Sequence, residues 1–299
     1  MFDEPVYNPD NSGNMFSDTF SETFINQYPL DINVPYKSIF VTFFVTYLWS
    51  LVLSALPVIF NIGPFDYYAN HNNWYTGGDV IRFIEPIGGL LLNFWVFHKS
   101  GIFKKDLSRR TYFSLLLFML GAGIYGQGSS FHSASAMFYS ALDSIHSQRD
   151  GVSDLKYYMQ TVWQHATSHY LYAAGYVLMN AAQAFAYKDH KASQLGLTGM
   201  AKFLLVSASF LFAVFITAMT VNYPSGTIVA LIYLLVYGFG CIGGYLLFMW
   251  KVEHDKTVVQ FGSRPILHHY FLSYCIAIVL IVIWIIYAGG FKSRSEVNN

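Results

Sequence analysis

From Leu267 to Gly290 the chain reads LHHYFLSYCIAIVLIVIWIIYAGG, twenty-four residues without an Asp, Glu, Lys or Arg. As an α-helix rising 1.5 Å per residue, such a run is about 36 Å long and crosses the roughly 30 Å hydrocarbon core of a bilayer. The same criterion, carried outward along the chain, finds six more stretches near 37–60, 79–98, 111–140, 157–187, 201–222 and 227–250. The reading is an all-α, polytopic integral membrane protein. Its seven-transmembrane-helix bundle covers 37–290, between a polar, acidic segment (1–36) and a short polar tail (291–299).

Composition points the same way. Of 299 residues, 54% are hydrophobic, 19% aromatic and only 11% charged, with a mean hydropathy of +0.38. A globular protein carries about 25% charged residues, so the polar surface is too small for a water-exposed body. Seventeen basic and seventeen acidic residues cancel and form no basic block, which excludes nucleic acid as a partner class. Cys241 and Cys275 form neither a disulfide framework nor a ligand-spaced pair.

The first 36 residues hold six acids (Asp3, Glu4, Asp10, Asp18, Glu22, Asp31) and no Lys or Arg, the reverse of a secretory leader. No cleavable signal peptide is expected, and the first span directs insertion. Counting Lys and Arg by connection puts twelve on one side and five (Arg82, Arg149, Lys156, Lys292, Arg294) on the other. The positive-inside bias therefore predicts a cytosolic amino terminus. Tyr187–Lys188 and Trp250–Lys251 read as cytosolic interfacial anchors.

Spans three and four are each about 30 residues, near 45 Å, so they overshoot the hydrocarbon on the outer side. Gly121, Gly123, Gly126 and Gly128 on span three either let a neighbouring helix approach closely or break the helix. Pro86 falls inside span two, where a kink is expected.

Ionisable groups inside a span are costly, and here they collect. Counted about 20 residues outward from Arg110 and from Lys188, His132, His169 and His165 lie at one depth. Glu85 on span two is only a few turns deeper. His165 and His169 are spaced i, i+4 and share a helical face, as two ligands of one metal ion require. His132 from the adjacent span would complete three neutral nitrogen ligands around zinc, with the fourth position left to water. Ser129 and Ser130 add hydroxyls within a turn, suited to an oxyanion. Glu85 reads as a fourth ligand or as a general acid and base, or alternatively as a structural partner of Arg82. His268 and His269, with His98, His190 and His254, read as cytosolic-interface residues that cap helices or meet headgroups.

A seven-helix bundle carrying Ser, His, Asp and a His-x-x-x-His pair resembles the CREST superfamily, which includes alkaline ceramidases and the adiponectin-receptor family. The residues that carry the resemblance are Ser129 or Ser130, His132, Asp143, His165 and His169, all on spans three and four. The resemblance implies an intramembrane zinc and hydrolysis of a lipid amide. Asp143 follows His132 by eleven residues, about 16 Å along a helix, and meets the same metal only if the helix ends before it.

The leading expectation is a zinc-dependent hydrolase acting on a lipid amide or ester at the outer or lumenal leaflet. Its cofactor is zinc and its partner a membrane lipid. The competing classes are a non-catalytic accessory subunit of a larger membrane complex, a receptor, and a histidine-box di-iron lipid oxidase. The last requires His165/His169 and His268/His269 to converge.

Overall fold

The computed structural model describes residues 34–59, 77–104, 109–144, 150–192, 196–223 and 225–297, so the acidic segment lies almost wholly outside it. Among the described residues every regular element is helical. They are α1 (Tyr36–Ile59), α2 (Gly77–His98), α3 (Arg109–Ser144), α4 (Asp150–Tyr157), α5 (Ser168–Tyr187), α6 (Gly199–Thr220), α7 (Gly226–Tyr233), α8 (Gly244–Lys251), α9 (Pro265–Ala288) and the short α10 (Arg294–Val297). A π-helical stretch, Tyr158–Thr167, joins α4 to α5 without a break, and a second, Leu234–Gly243, joins α7 to α8. Each apolar stretch of the sequence falls on one of the resulting long rods.

Four segments are by themselves long and apolar enough to cross a membrane: Tyr36–Leu53, Gly199–Thr220, Gly226–Lys251 and Pro265–Ala288. No more than 39% of any of them is buried inside the protein. The remainder presents large apolar side chains outward, such as Phe203, Val236 and Ile286, and only hydrocarbon accommodates that surface. Helix α2 contributes a shorter apolar run, Phe83–His98. Helix α3 and the α4–α5 rod are longer and more polar.

In hydrocarbon, helices gain little from excluding water and associate instead through close packing. The α3–α5 seam shows how. A Cβ on Gly121 would stand 2.8 Å from the Gly175 carbonyl oxygen, and one on Gly128 would stand 2.5 Å from the Tyr172 nitrogen. Gly175 is tighter still, with its added Cβ 2.3 Å from the Tyr125 nitrogen. Gly123 and Gly126 have nothing within 4 Å. Since α3 is an unbroken helix of 36 residues, the glycines serve close approach rather than a break.

A second core lies between α1, α6 and α9, where Phe43, Tyr47, Phe212, Tyr270 and Tyr274 are almost wholly buried. His269 sits among them, fully buried, its ring stacked on Phe43 at 4.5 Å. Its Nε2 meets the Tyr47 hydroxyl at 3.0 Å and its Nδ1 the Ser209 hydroxyl at 2.9 Å. The interfacial role read for His269 from the sequence is therefore corrected: it is a core residue. His268 ties down the preceding loop, because Gly262 N–H donates to its Nδ1 at 2.9 Å and its Nε2 lies 3.0 Å from the Val258 carbonyl oxygen. Pro265 opens α9, and Gly289 at φ +66° closes it in a left-handed conformation that suits glycine.

The basic connections meet at one end of the bundle. Arg110 pairs with Asp189, which also accepts from the Tyr245 hydroxyl at 3.2 Å. Asp255 takes Lys191 at 2.7 Å and the buried Arg264 at 3.1 Å, while Arg264 also donates to the Lys188 carbonyl at 2.7 Å. Lys99 donates to the Ser38 hydroxyl at 2.6 Å, which brings the start of α1 to the same end as the close of α2. Burial alone would raise the Asp189 carboxyl, but Arg110 and Lys188 outweigh it and hold the group below the usual carboxylate range. At Asp255 burial is likewise outweighed, by hydrogen bonds from Lys191, Thr257 and Arg264.

Candidate functional site

Because α3 and α5 run antiparallel along a glycine seam, residues at matched distance from the Arg110–Asp189 end face each other. His132 on α3 thus meets His169 on α5, with ring centroids 5.2 Å apart. His165, in the π-helical stretch one turn outward, lies 6.1 Å from His169. Tyr223, from the turn between α6 and α7, closes the cluster with its ring 5.7 Å from His169 and 5.0 Å from Tyr170. Phe131 and Trp163, each within two residues of a cluster histidine in the chain, meet as a tilted pair with ring centroids 5.2 Å apart. Tyr223 is buried, and desolvation pushes its phenol up to about 12.

The three histidines that the sequence singles out are therefore brought together around His169. Two nitrogens bound to one tetrahedral zinc at about 2.1 Å put their rings roughly 5 Å apart. The His132–His169 spacing fits that requirement, and the His165–His169 spacing is wider. Among the described residues no three His, Cys, Asp or Glu side chains stand as a closed metal-holding group. The donor chemistry and one pair suit zinc, while the trio does not close.

Glu85 does not join the histidines. It is buried on α2, and its carboxylate accepts from the Ser50 hydroxyl of α1 at 2.7 Å and from the Tyr172 hydroxyl of α5 at 3.0 Å to each oxygen. The Tyr125 hydroxyl of α3 reaches both oxygens at 3.3 and 3.4 Å and meets the Tyr172 hydroxyl at 2.5 Å. The indole of Trp49 donates to the Glu85 carbonyl at 2.9 Å. Four helices thus converge on one carboxylate. Tyr172 follows His169 by three residues, about 4.5 Å along the axis, and Tyr125 precedes His132 by seven, about 10.5 Å, so this cradle lies one to two turns inside the histidine cluster. The Arg82 side chain, the alternative partner of Glu85, lies outside the described residues.

Ser129 is buried on α3 one turn before His132. Ser130 is exposed and donates to the Gly126 carbonyl at 2.9 Å. Ser133, fully buried beside His132, has a hydroxyl without a hydrogen-bond partner among the described residues. Helix α3 continues through Asp143 to Ser144, so the condition for Asp143 to reach His132 is not met by the backbone; its side chain lies outside the described residues. His165/His169 and His268/His269 do not converge either. Tyr270, next to His269, bonds Gln183, which is fourteen residues and about 21 Å along α5 from His169. Ser50, Tyr125 and Tyr172 escaped the sequence reading, because nothing in their spacing sets them apart.

Fold and site together define a multi-pass helical integral membrane protein with a cluster of imidazoles near one end and a hydroxyl-cradled carboxylate within. No protein-family model, no curated protein and no solved structure matches the chain.

Proposed function

We propose that the protein is an intramembrane lipid hydrolase, zinc-dependent, which cleaves an amide or ester bond at the outer or lumenal leaflet of a seven-span bundle. The observation that carries this reading is the meeting of His132, His165 and His169 from two neighbouring rods, with Tyr172, which donates to the Glu85 carboxylate, one turn along the helix from His169. Zinc held by imidazoles supplies a water that ionises near neutral pH and a Lewis acid for a carbonyl oxygen.

The chain's own residues supply the rest. His132 and His169 are the nearest donor pair and His165 is the third donor. Glu85 is the proton acceptor, served by the Tyr172 hydroxyl that donates to it. Ser129 and Ser130 are the hydroxyls for the developing oxyanion; Ser130 otherwise donates to the Gly126 carbonyl of its own helix. Tyr223, Phe131 and Trp163 provide an aromatic wall against which acyl chains pack. The end that gathers Arg110, Lys188, Lys191 and Arg264 faces the cytosol, in keeping with the positive-inside bias.

Metal analysis of the purified protein is the direct test. About one zinc per chain is expected, falling in His132→Ala and in His169→Ala together with turnover of amide- or ester-linked lipids. A metal-free wild type, or unchanged metal content in His165→Ala and His169→Ala, overturns the reading.

A further inference from the structure

Glu85 is held by hydroxyls on three sides, and their arithmetic is informative. Tyr125 and Tyr172 hydrogen-bond to each other, so one of their two phenolic protons lies between the phenols and one remains for the carboxylate. With the carboxylate ionised, Ser50 and one phenol donate to it. With the carboxyl protonated, its own proton donates to a phenol and the chain of bonds runs in reverse. The ring formed by Glu85, Tyr172 and Tyr125 thus accepts or releases a proton with no heavy atom moving. It is also closed on most sides. Ser50, Glu85 and Tyr125 are buried, and a Cβ on Gly89 would already stand 3.2 Å from the Tyr125 hydroxyl and 3.8 Å from Glu85 Oε1. Tyr172 is the partly exposed member, and its helix carries His169 one turn outward.

We propose that Glu85 is a proton-exchanging carboxyl inside the bilayer and that Tyr172 carries protons between it and the histidine cluster. A proton arriving at the Tyr172 oxygen binds there as the phenolic proton passes to the Glu85 oxygen 3.0 Å away. The carboxylate goes from charge −1 to neutral and the charge of the releasing group falls by one; that group's N–H or O–H bond and the Tyr172 O–H bond break, and new O–H bonds form at Tyr172 and at Glu85. The reverse transfer restores the carboxylate. In the hydrolase, on which this use of the relay rests, the proton comes from the attacking water and returns to the departing amine or alcohol. The exchange itself stands without it. The groups that face Glu85 are Ser50 and Trp49 from α1, Tyr125 from α3, and Tyr172 and Tyr176 from α5; along the helices His169 lies about one turn beyond Tyr172, and His165 and His132 about two turns beyond Tyr172 and Tyr125.

The test uses dicyclohexylcarbodiimide, an apolar reagent for protonated carboxyls, on the full chain in sealed vesicles, with mass spectrometry of the Glu85 peptide. Glu85 is expected to label, labelling is expected to fall as the pH of the histidine side is raised, and Glu85→Gln is expected to stay unlabelled. In Tyr172→Phe the response to a pH jump is expected to slow at least about tenfold, whereas Gly123→Ala, which touches no part of the cradle, keeps it. Infrared detection of carboxyl deuteration in the wild type provides a second readout should Tyr172→Phe fail to fold. A carboxyl that is neither labelled nor deuterated, or a Tyr172→Phe response equal to wild type, overturns the relay. Labelling and exchange in a zinc-free, inactive protein sink the hydrolase and leave the relay standing; a zinc hydrolase with an inert Glu85 does the opposite.

Discussion

Gly175 on α5 and Tyr125 on α3 approach so closely that a Cβ on residue 175 would stand 2.3 Å from the Tyr125 backbone nitrogen. The obstacle is backbone, so neither helix yields by turning a side chain. Gly175→Ala is expected to destabilise the protein by about 3 kcal/mol, the upper range for overpacking. Gly123→Ala, whose Cβ meets nothing within 4 Å, is expected to stay within about 0.5 kcal/mol of wild type. Unfolding of both variants in one detergent system checks the contrast. Equal stabilities would remove the seam as the device that aligns His132 with His169.

The loop clamp at the basic end predicts how stability depends on acid. The Asp255 carboxyl is held below its ordinary 3.8, so the folded protein keeps it ionised at a pH where the unfolded chain already binds a proton. Its contribution is therefore complete above that value and drains away as pH falls through the lower, folded value. Asp255→Ala leaves the buried Arg264 without its carboxylate and is expected to cost about 3 kcal/mol. Lys191→Ala removes a half-exposed partner and is expected to cost under about 1 kcal/mol. Thermal unfolding of the three proteins at neutral and at acid pH separates these outcomes.

His269 is predicted to be structural. His269→Leu deprives the buried Tyr47 hydroxyl of its hydrogen-bond partner and the aromatic box of a stacked ring, for an expected loss of about 2 kcal/mol. Its zinc content should equal that of wild type. Loss of metal in this variant would place a ligand where the geometry puts a packing residue.

Ser133 makes the opposite prediction. Helical serines in this chain commonly return their hydroxyl to the preceding turn, as Ser209 does to the Leu205 carbonyl and Ser273 to that of His269. The Ser133 hydroxyl does not, and it is buried. Ser133→Ala is expected to be neutral or stabilising by up to about 1 kcal/mol. A destabilised variant would mean that the hydroxyl has a partner.

Much of the fold was legible because apolar length is directly visible. The stretches read at 201–222 and 267–290 became Gly199–Thr220 and Pro265–Ala288, shifted by two residues. The depth of His132, His165 and His169 was legible for a related reason. It was counted from Arg110 and Lys188, and the Arg110–Asp189 pair brings those two helix ends together, so equal counts give equal heights. The cradle was not legible. The chain has 23 tyrosines, and which of them faces Glu85 is decided by the glycine seam, through contacts between residues 40 and 87 positions apart. His269 was misread because depth was judged from the start of α9 alone. The loop that precedes α9 folds over the bundle there, through Arg264 and His268, and turns an apparent interface into core.

The cradle also bears on the order in which the chain is made. Ribosomes deliver α1 and α2 first, so when Glu85 enters the membrane only the Ser50 hydroxyl is already beside it. Tyr125 follows 40 residues later and Tyr172 not until 87. For that interval the nascent chain holds a carboxyl in hydrocarbon with one of its three hydroxyl partners, a cost that is relieved as α3 and then α5 arrive. The residue that joins four helices in the finished protein is thus also the one whose surroundings are completed only with the last of them.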